Sequence, residues 1–334
     1  MNFTQFLADI LGGINSVLGN YGWSIMVFTL LIRLVLMPFD YKSRVSMRRM
    51  SDLQPQIAVL QKKYAKDQAK LNQKTSELYK KEHINPLSGC LPLLLSYPIL
   101  IAMFGAMRHI ANEQVVQQVL AIFQNPDALP KFESWLWVKN IWMPDSPFAS
   151  CVPDLNVLRQ VPADIWQRFM TPEVLAALPG ELSQLTVDSF SSAQLQATIQ
   201  TVHSALAALP LYQEATSILP GWTFNLLITQ FSLMKEFNGL FLLPILSAVS
   251  QFAMTKMTPT QPQAENSQSA STGKFMTYFF PLFSLWICSS YNGAFALYWV
   301  TSNLIAMVQT YFINKILDKR AANKKAIESD VSIR

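Results

Sequence analysis

Residues 21–39 are largely apolar and carry one charged side chain, Arg33. As a helix, a segment of this length spans about 28 Å, which matches the roughly 30 Å hydrocarbon core of a bilayer. Composition agrees, because hydrophobic residues make up 51% of the chain and charged residues only 14%, whereas a soluble domain carries roughly 25% charge. The sequence therefore predicts an integral membrane protein.

Five transmembrane helices are predicted in all, because four later segments share this apolar character. Residues 1–20 precede them and place apolar side chains at helical spacing, which predicts an amphipathic helix in the membrane interface. The predicted spans cover residues 21–40, 86–108, 239–257, 274–291 and 293–317.

Charge is distributed unevenly between the segments that connect the spans. Residues 41–84 hold eleven Lys and Arg against four acids, with a narrow apolar seam that predicts a two-helix hairpin turning near residues 66–70. The tail at 318–334 is also basic. Since basic loops stay in the cytoplasm, both are predicted there, with the N-terminus outside and the C-terminus cytoplasmic.

Residues 109–238 are predicted to lie outside the membrane as short helices, because acids outnumber Lys and Arg there. Within them, residues 218–234 are fairly apolar but are predicted to be interfacial, since a sixth span would place the two basic segments on opposite sides. Residues 258–273 are rich in Gln, Ser and Pro and predict a cytoplasmic loop. The expected fold is an all-α membrane protein with a five-helix bundle, a cytoplasmic hairpin and a helical extracytoplasmic insertion.

Arg33 is the most informative single residue, because an arginine inside a span costs about 2.5–3.5 kcal/mol on insertion scales. It could extend to an interface or bond backbone carbonyls. The favoured interpretation is that it lines a hydrated cavity and attracts anionic groups. Polar side chains of two later spans could line the same cavity or simply join helices: Ser247, Ser250, Gln251, Thr255, Tyr298, Thr301, Ser302, Asn303 and Gln309.

Other functions have less support in the residues. Cys90, Cys151 and Cys288 are widely separated, and the three histidines are scattered, so neither a disulfide framework nor a metal site is expected. A membrane-embedded enzyme would need paired acids or a Ser/His constellation. A small-molecule anion transporter or channel using Arg33 is the main alternative, although transporters often contain internal repeats and none is found.

The segments and their order resemble the YidC/oxidase-assembly family of membrane protein insertases. The likeness rests on YGWSIMVFTLLIRLVLMPF in the first span, LQPQIAVLQKKY in the hairpin and NPLSGCLPLLLSYPILIAMF in the second span. FLLPILSAVSQF, LYWVTSNLIAMVQ and the outer segment SWLWVKNIWMPDSP are similar as well. Residues 149–238 have no counterpart in the family's minimal core.

The resemblance implies an insertase rather than an enzyme, without cofactor or metal, in the bacterial plasma membrane. Nascent hydrophobic segments would enter a cytoplasm-open hydrophilic groove and leave sideways into the bilayer. The expected partners are nascent membrane proteins, the ribosome and lipid, with the Sec translocon as a further candidate. No nucleic-acid sequence would be recognised, and a monomer would suffice.

The same resemblance assigns residues to three roles. The groove would contain Arg33, Thr29, Gln251, Tyr298 and Trp299. An apolar path for the nascent chain would contain Met103, Phe104, Phe279, Phe280 and Phe283. The hairpin would meet the ribosome or nascent chain through nonspecific charge, although its charges could serve only topology and solvation; the residues concerned are Arg48, Arg49, Lys62 and Lys63.

Overall fold

The computed structural model describes residues 3–82, 91–226, 229–257 and 267–332, and most of them are helical, as the sequence predicts. The helices are α1 (Phe3–Leu18), α2 (Tyr21–Asp52), α3 (Gln54–Lys63), α4 (Gln68–Lys81), α5 (Leu91–Gln124), α6 (Leu155–Gln160), α7 (Ala163–Phe169), α8 (Pro172–Ala176), α9 (Leu195–Ala207), α10 (Pro210–Ala215), α11 (Leu242–Met257), α12 (Ser267–Ser290) and α13 (Gly293–Ser332). Two 3₁₀ helices, Gly180–Gln184 and Val187–Phe190, lie between α8 and α9.

The chain divides into two compact units. The first contains Met1–Phe28, Ala102–Leu246 and Leu285–Tyr298, and the second contains Thr29–Ile101, Ser247–Ser284 and Trp299–Arg334. Several long helices begin in one unit and continue in the other, so each unit is described separately.

The boundary between α1 and α2 follows from two residues. Gly19 has a φ of +66°, a left-handed conformation that glycine adopts without steric cost, and its N–H donates to the Asn15 carbonyl at 2.8 Å. Asn20 then caps α2, because its Oδ1 accepts from the Trp23 N–H at 3.3 Å. Two residues, Gly19 and Asn20, therefore separate the amphipathic helix from the start of the first predicted span.

Helix α2 is longer than the predicted span. It continues from Tyr21 to Asp52, so residues 41–52, expected in the basic hairpin, belong to the same helix. Pro38 lies inside it, where the missing N–H removes one helical hydrogen bond. By length and hydropathy, α2 is the one helix among the described residues that is long and apolar enough to cross a membrane. The five-helix bundle remains a prediction.

The basic hairpin consists of α3 and α4. Its turn lies between Lys63 and Gln68, slightly before the predicted position, and Asp67 caps α4 by accepting from the Lys70 N–H at 3.0 Å. A small apolar cluster joins the hairpin to the end of α2: Met50, Leu53, Ile57, Leu78 and Tyr79. This narrow cluster agrees with the apolar seam in the sequence.

Three other helices also differ in length from the predicted segments. Helix α5 extends to Gln124, well beyond the predicted end at residue 108, and α13 continues to Ser332 through the segment expected to form the tail. Helix α12 begins at Ser267, inside the predicted 258–273 loop. Residues 83–90 and 258–266, which include Cys90, lie outside the described residues.

The predicted insertion forms the core of the first unit together with the second half of α5. Helices α6 to α10 pack around a large apolar cluster with Val116, Ile122, Trp166 and Phe190 buried in it. The Trp166 and Phe190 rings stack with centroids 5.7 Å apart. Burial of this aromatic and aliphatic surface supplies the main stabilisation of a compact domain.

The expectation of a wholly helical insertion is corrected at residues 218–234. Strands β1 (Ile218–Leu226) and β2 (Thr229–Met234) form an antiparallel hairpin. The segment is rich in aromatic and β-branched residues and alternates Trp222, Phe224 with Thr223, Asn225. This period of two favours a strand. The apolar character of the segment, considered without the alternation, does not indicate a strand.

The loop at residues 133–145 binds the first residues of three helices. Glu133 accepts from the Tyr21 N–H at the start of α2, at 3.0 Å. The Ile141 and Met143 carbonyls accept from the N–H groups of Ala294 and Gly293 at the start of α13, at 2.8 and 2.9 Å.

Asp145 binds the start of the third helix, α11, where its carboxylate accepts from the Phe241 and Leu243 N–H groups. Gly239, just before that helix, packs so closely that a Cβ atom there would overlap the Asp145 carboxylate. The loop is therefore the element that positions three of the predicted spans at their first residues.

Candidate functional site

Arg33 lies on α2 and is partly buried in the second unit. Its Nε and Nη2 both donate to the Ser302 hydroxyl on α13, at 3.1 and 2.6 Å. Two of the five guanidinium N–H donors thus have an acceptor in the described part of the chain. No described carboxylate lies within 4.0 Å of the guanidinium.

Polar side chains of α13 that follow Ser302 also form hydrogen bonds with neighbouring helices. Asn303 donates to Ser250 Oγ and to Gln251 Oε1 on α11, both at 3.2 Å. Six residues after Asn303, Gln309 donates to the Arg33 carbonyl at 3.0 Å. Hydrogen bonds therefore connect α13 to both α2 and α11 at this level, and the site consists of a cation with hydroxyl and amide neighbours.

The predicted groove residues fall in different places. Arg33, Thr29, Gln251 and Trp299 belong to the second unit, whereas Tyr298 closes a segment of the first. Thr29 is buried, with 1% of its surface exposed, and Tyr298 is also buried. The structure joins Gln251 to Asn303 and Arg33 to Ser302, and the sequence had offered both Ser302 and Asn303 among several polar candidates.

A row of further contacts between α2 and α13 was not predicted. Arg44 donates to Thr310 and Arg48 pairs with Asp318, while Arg320 donates to the Tyr41 hydroxyl at 2.7 Å. Arg33 and Arg48 are 15 residues apart on α2, and their partners Ser302 and Asp318 are 16 apart on α13, so the two helices pack side by side over this length.

The predicted apolar path divides between the units. In the first, Met103 is fully buried, and the Phe104 ring packs edge-on against Tyr291 and Phe295, with centroids 4.7 and 5.2 Å away. In the second, α12 carries a row of phenylalanines: Phe275 stacks on Phe279, and Phe279 contacts both Phe280 and Phe283. Phe279 is 41% exposed, so α12 presents an open aromatic surface.

The predicted cytoplasmic cations also differ in their surroundings. Arg49, Lys62 and Lys63 are exposed, and the Lys63 ammonium lies 5.8 Å from the Tyr64 ring. Arg48 instead forms the ion pair with Asp318. Three of the four hairpin cations are therefore open to a soluble partner. Among the described residues, no group of three or more His, Cys, Asp or Glu could hold a metal ion.

Comparison with known proteins gives one family match. The model of a family described as 60Kd inner membrane protein matches residues 13–320. Curated relatives named Membrane protein insertase YidC include one from Fusobacterium nucleatum, which is 46% identical over 31% of this chain and 51% of the relative.

Two other relatives of that name match over a longer span at lower identity. The protein of Polynucleobacter asymbioticus is 25% identical over 94% of this chain and 35% of the relative, and that of Pseudomonas entomophila is 25% identical over 97% and 37%. The chain thus spans about a third to a half of these relatives. Because these two alignments cover more than nine tenths of the chain, they include most of residues 149–238.

Proposed function

The chain belongs to the 60Kd inner membrane protein family, and from this premise we propose that it is a membrane protein insertase. It accepts nascent hydrophobic segments in a hydrophilic groove open to the cytoplasm and releases them sideways into the bilayer. The observation that carries the proposal is Arg33, a cation in the clearest apolar span whose only described side-chain partner is a hydroxyl group.

The proposed groove follows the polar side chains that surround Arg33. Ser302 is neutral, and Asp40 attracts the guanidinium without forming an ion pair within 4.0 Å. Three of the guanidinium N–H donors have no acceptor among the described residues. A substrate carboxylate could accept two of these donors at once, since guanidinium and carboxylate match in geometry. Low dielectric in the membrane strengthens that attraction. Acidic residues in the translocated tail are therefore the groups that Arg33 recognises.

The proposed exit for the apolar part of the substrate is the aromatic surface of α12. Phe279, Phe280 and Phe283 offer adaptable apolar contact without hydrogen-bonding demands. Met103 and Phe104 support the first unit by packing inside it, and a direct contact with substrate would require a change in that packing. No covalent step is involved, so neither nucleophile nor general base is needed.

The exposed cations of the α3–α4 hairpin and of the adjoining end of α2 are the proposed contact for the ribosome or the emerging chain. Arg49, Lys62 and Lys63 would act through charge alone, with strong dependence on salt. In the proposed topology the hairpin and the C-terminus are cytoplasmic and the N-terminus lies outside. The protein acts as a monomer in the bacterial plasma membrane, with the Sec translocon as a candidate partner for some substrates.

The groove proposal is tested by inserting matched substrates into vesicles that contain the full chain. One substrate has Asp and Glu in its short translocated tail, and the other has Asn and Gln at the same positions. Arg33→Ala should reduce insertion of the acidic substrate roughly 5- to 30-fold, equivalent to about 1–2 kcal/mol, and leave the amide substrate nearly unchanged. Lys42→Ala removes a positive charge from an exposed position of the same helix and serves as the control.

A photo-crosslinker at position 33 should also capture a stalled acidic substrate. Equal insertion of both substrates by Arg33→Ala would remove the electrostatic role. If no crosslink formed and the wild-type chain inserted neither substrate, the insertase proposal itself would be wrong.

The role of the hairpin is tested separately by deletion. Removing residues 50–82 should reduce insertion more than removing residues 258–272, because only the first deletion removes Lys62, Lys63 and the other cations of the hairpin. Equal losses would limit the hairpin to a topology signal.

A further inference from the structure

The β1–β2 hairpin has two chemically different faces. Its strands pair Phe224 with Phe231, and on either side of this pair they join Thr223 to Ser232 and Asn225 to Gln230. Because paired residues share a face and neighbours along a strand alternate, one face is aromatic and the other carries hydroxyls and amides. The Thr223 and Ser232 hydroxyls lie 3.3 Å apart, which confirms that the polar side chains meet on one face.

The aromatic face is open rather than packed. Trp222 is 55% exposed and Phe224 51% exposed, with their rings 6.2 Å apart. Phe231 continues the face toward Phe148, with ring centroids 5.4 Å apart. We call Phe148, Trp222, Phe224 and Phe231 the aromatic strip. An exposed apolar surface of this kind on a folded protein marks a site of interaction.

The chemistry of the strip favours lipid over a protein partner. Residues 218–234 contain no Asp, Glu, Lys or Arg, so the hairpin offers no ion pair by which a protein could be selected. Trp is enriched at the membrane–water interface, and amphipathic elements that lie in the interface carry Trp and Phe on one face and polar groups on the other. An uncharged amphipathic hairpin meets both requirements.

The base of the hairpin is fixed close to the start of α11. The Met234 N–H donates to the Pro147 carbonyl at 3.0 Å, and the Asn238 N–H donates to the Ala149 carbonyl at 2.8 Å. Asp145, in the same stretch of chain, accepts from the Leu243 N–H in the first turn of α11. That helix leaves Ile245 and Leu246 exposed, as expected of a lipid-facing surface. The hairpin is therefore held next to the boundary where α11 enters the membrane.

We propose that the aromatic strip is a membrane-interface contact, with Trp222 and Phe224 in the lipid headgroup region and Thr223 and Asn225 facing water. The hairpin lies on the side of the bilayer where α11 begins. This inference rests on α11 crossing the membrane and does not depend on insertase activity. Since no charge takes part, the contact should persist at high salt and without anionic lipid.

The proposal is tested with an environment-sensitive fluorophore attached to single cysteines of the full chain in phosphatidylcholine vesicles. Cys90, Cys151 and Cys288 are first replaced by alanine. Labels are then placed at positions 222, 223 and 224, and at Gln184, an exposed residue of a 3₁₀ helix in the same unit. Phosphatidylcholine with a nitroxide near the headgroup quenches labels that reach the interface, and iodide quenches labels in water.

The expected result is an alternation along β1. Nitroxide quenching at positions 222 and 224 should be at least twofold that at 223 and 184, and iodide should show the reverse order. Nitroxide quenching at 222 and 224 no stronger than at 184 would overturn the proposal, as would equal quenching at 222, 223 and 224. Protection of 222 and 224 from both quenchers would also overturn it, because it would indicate a protein partner instead of lipid.

Discussion

Asp145 allows a stability prediction because its environment is fully defined. The side chain is completely buried. Its Oδ1 accepts from the Phe241 N–H at 3.2 Å, and its Oδ2 accepts from the Leu243 N–H at 2.7 Å and from the Trp137 indole N–H at 3.1 Å. The perturbation we consider is Asp145→Asn, which preserves shape and volume but removes the charge and one acceptor.

The expected cost follows from two changes. The charge lies at the N-terminus of α11, where a partly buried anion contributes up to about 2 kcal/mol. In asparagine an NH₂ group also replaces one of the two carboxylate oxygens and would face an N–H donor. A buried donor is then left without an acceptor, at a cost of about 1–3 kcal/mol. Asp145→Asn should therefore destabilise the first unit by about 2–4 kcal/mol, equivalent to a loss of roughly 5–15 °C in Tm for a domain of this size.

The assay is thermal unfolding in detergent, followed by size-exclusion of the protein that remains folded. Asp154→Asn is the matched control, because Asp154 is an exposed cap of α6 that accepts from the Val157 N–H at 2.9 Å, and asparagine caps helices as well as aspartate does. Its Tm should change by less than about 2 °C. If the two variants unfolded at the same temperature, the three hydrogen bonds of Asp145 would not hold the loop as described.

Other expectations concern both units. Tyr212 is buried and donates to the Pro153 carbonyl at 2.8 Å, and burial raises the pKa of its hydroxyl above the ordinary value of 10.0. The stability that the neutral phenol contributes is present below pH 10.0 and is lost as pH rises through the folded-state pKa. Tyr212→Phe should lower stability by about 1 kcal/mol near neutral pH and reduce the alkaline decline, and an unchanged alkaline profile in pH-dependent thermal unfolding would contradict this. In the second unit, Thr310→Val removes the acceptor for Arg44 and should cost about 1–3 kcal/mol, whereas Arg49→Gln at an exposed position should be nearly neutral in the same assay. A loss confined to Arg49→Gln would contradict the contact between α2 and α13. Gly239→Ala would place a methyl group against the Asp145 carboxylate and should lower Tm as much as Asp145→Asn, so a wild-type Tm for this variant would show that the packing there is loose.

Periodicity and charge predicted the helical elements well, because both are local properties of the sequence. Arg33 on an apolar helix, the basic pair of helices and the amphipathic helix at 3–18 follow directly from residue spacing. Helix ends were less predictable, since α2 and α13 continue without a break into charged sequence. Lys, Arg and Glu are good helix formers, so a change from apolar to basic residues ends a predicted span but not a helix.

The partners of the site residues could not be derived from sequence in the same way. Ser302 was one of several polar residues on its helix, and only the packing of α13 against α2 selects it for Arg33. Asp145 was visible in SWLWVKNIWMPDSP, but its role depends on backbone N–H groups almost a hundred residues later. Strands β1 and β2 differ from these residues, because their alternation of aromatic and polar side chains is present in the sequence. The prediction for this segment used its apolar character and not the alternation.

The loop at 133–145 has a consequence for how the protein is made. Its residues leave the ribosome after α2 but before α11 and α13, and domains fold in order during synthesis at about 5–20 residues per second. The start of α2 can be fixed first, α11 follows once Leu243 has emerged, and α13 is fixed last by Ile141 and Met143. Since α13 supplies Ser302, a growing chain holds the Arg33 cation without its hydroxyl acceptor until Ser302 itself has been synthesised. The helix that follows both α2 and α11 in the chain is thus the one that completes the site.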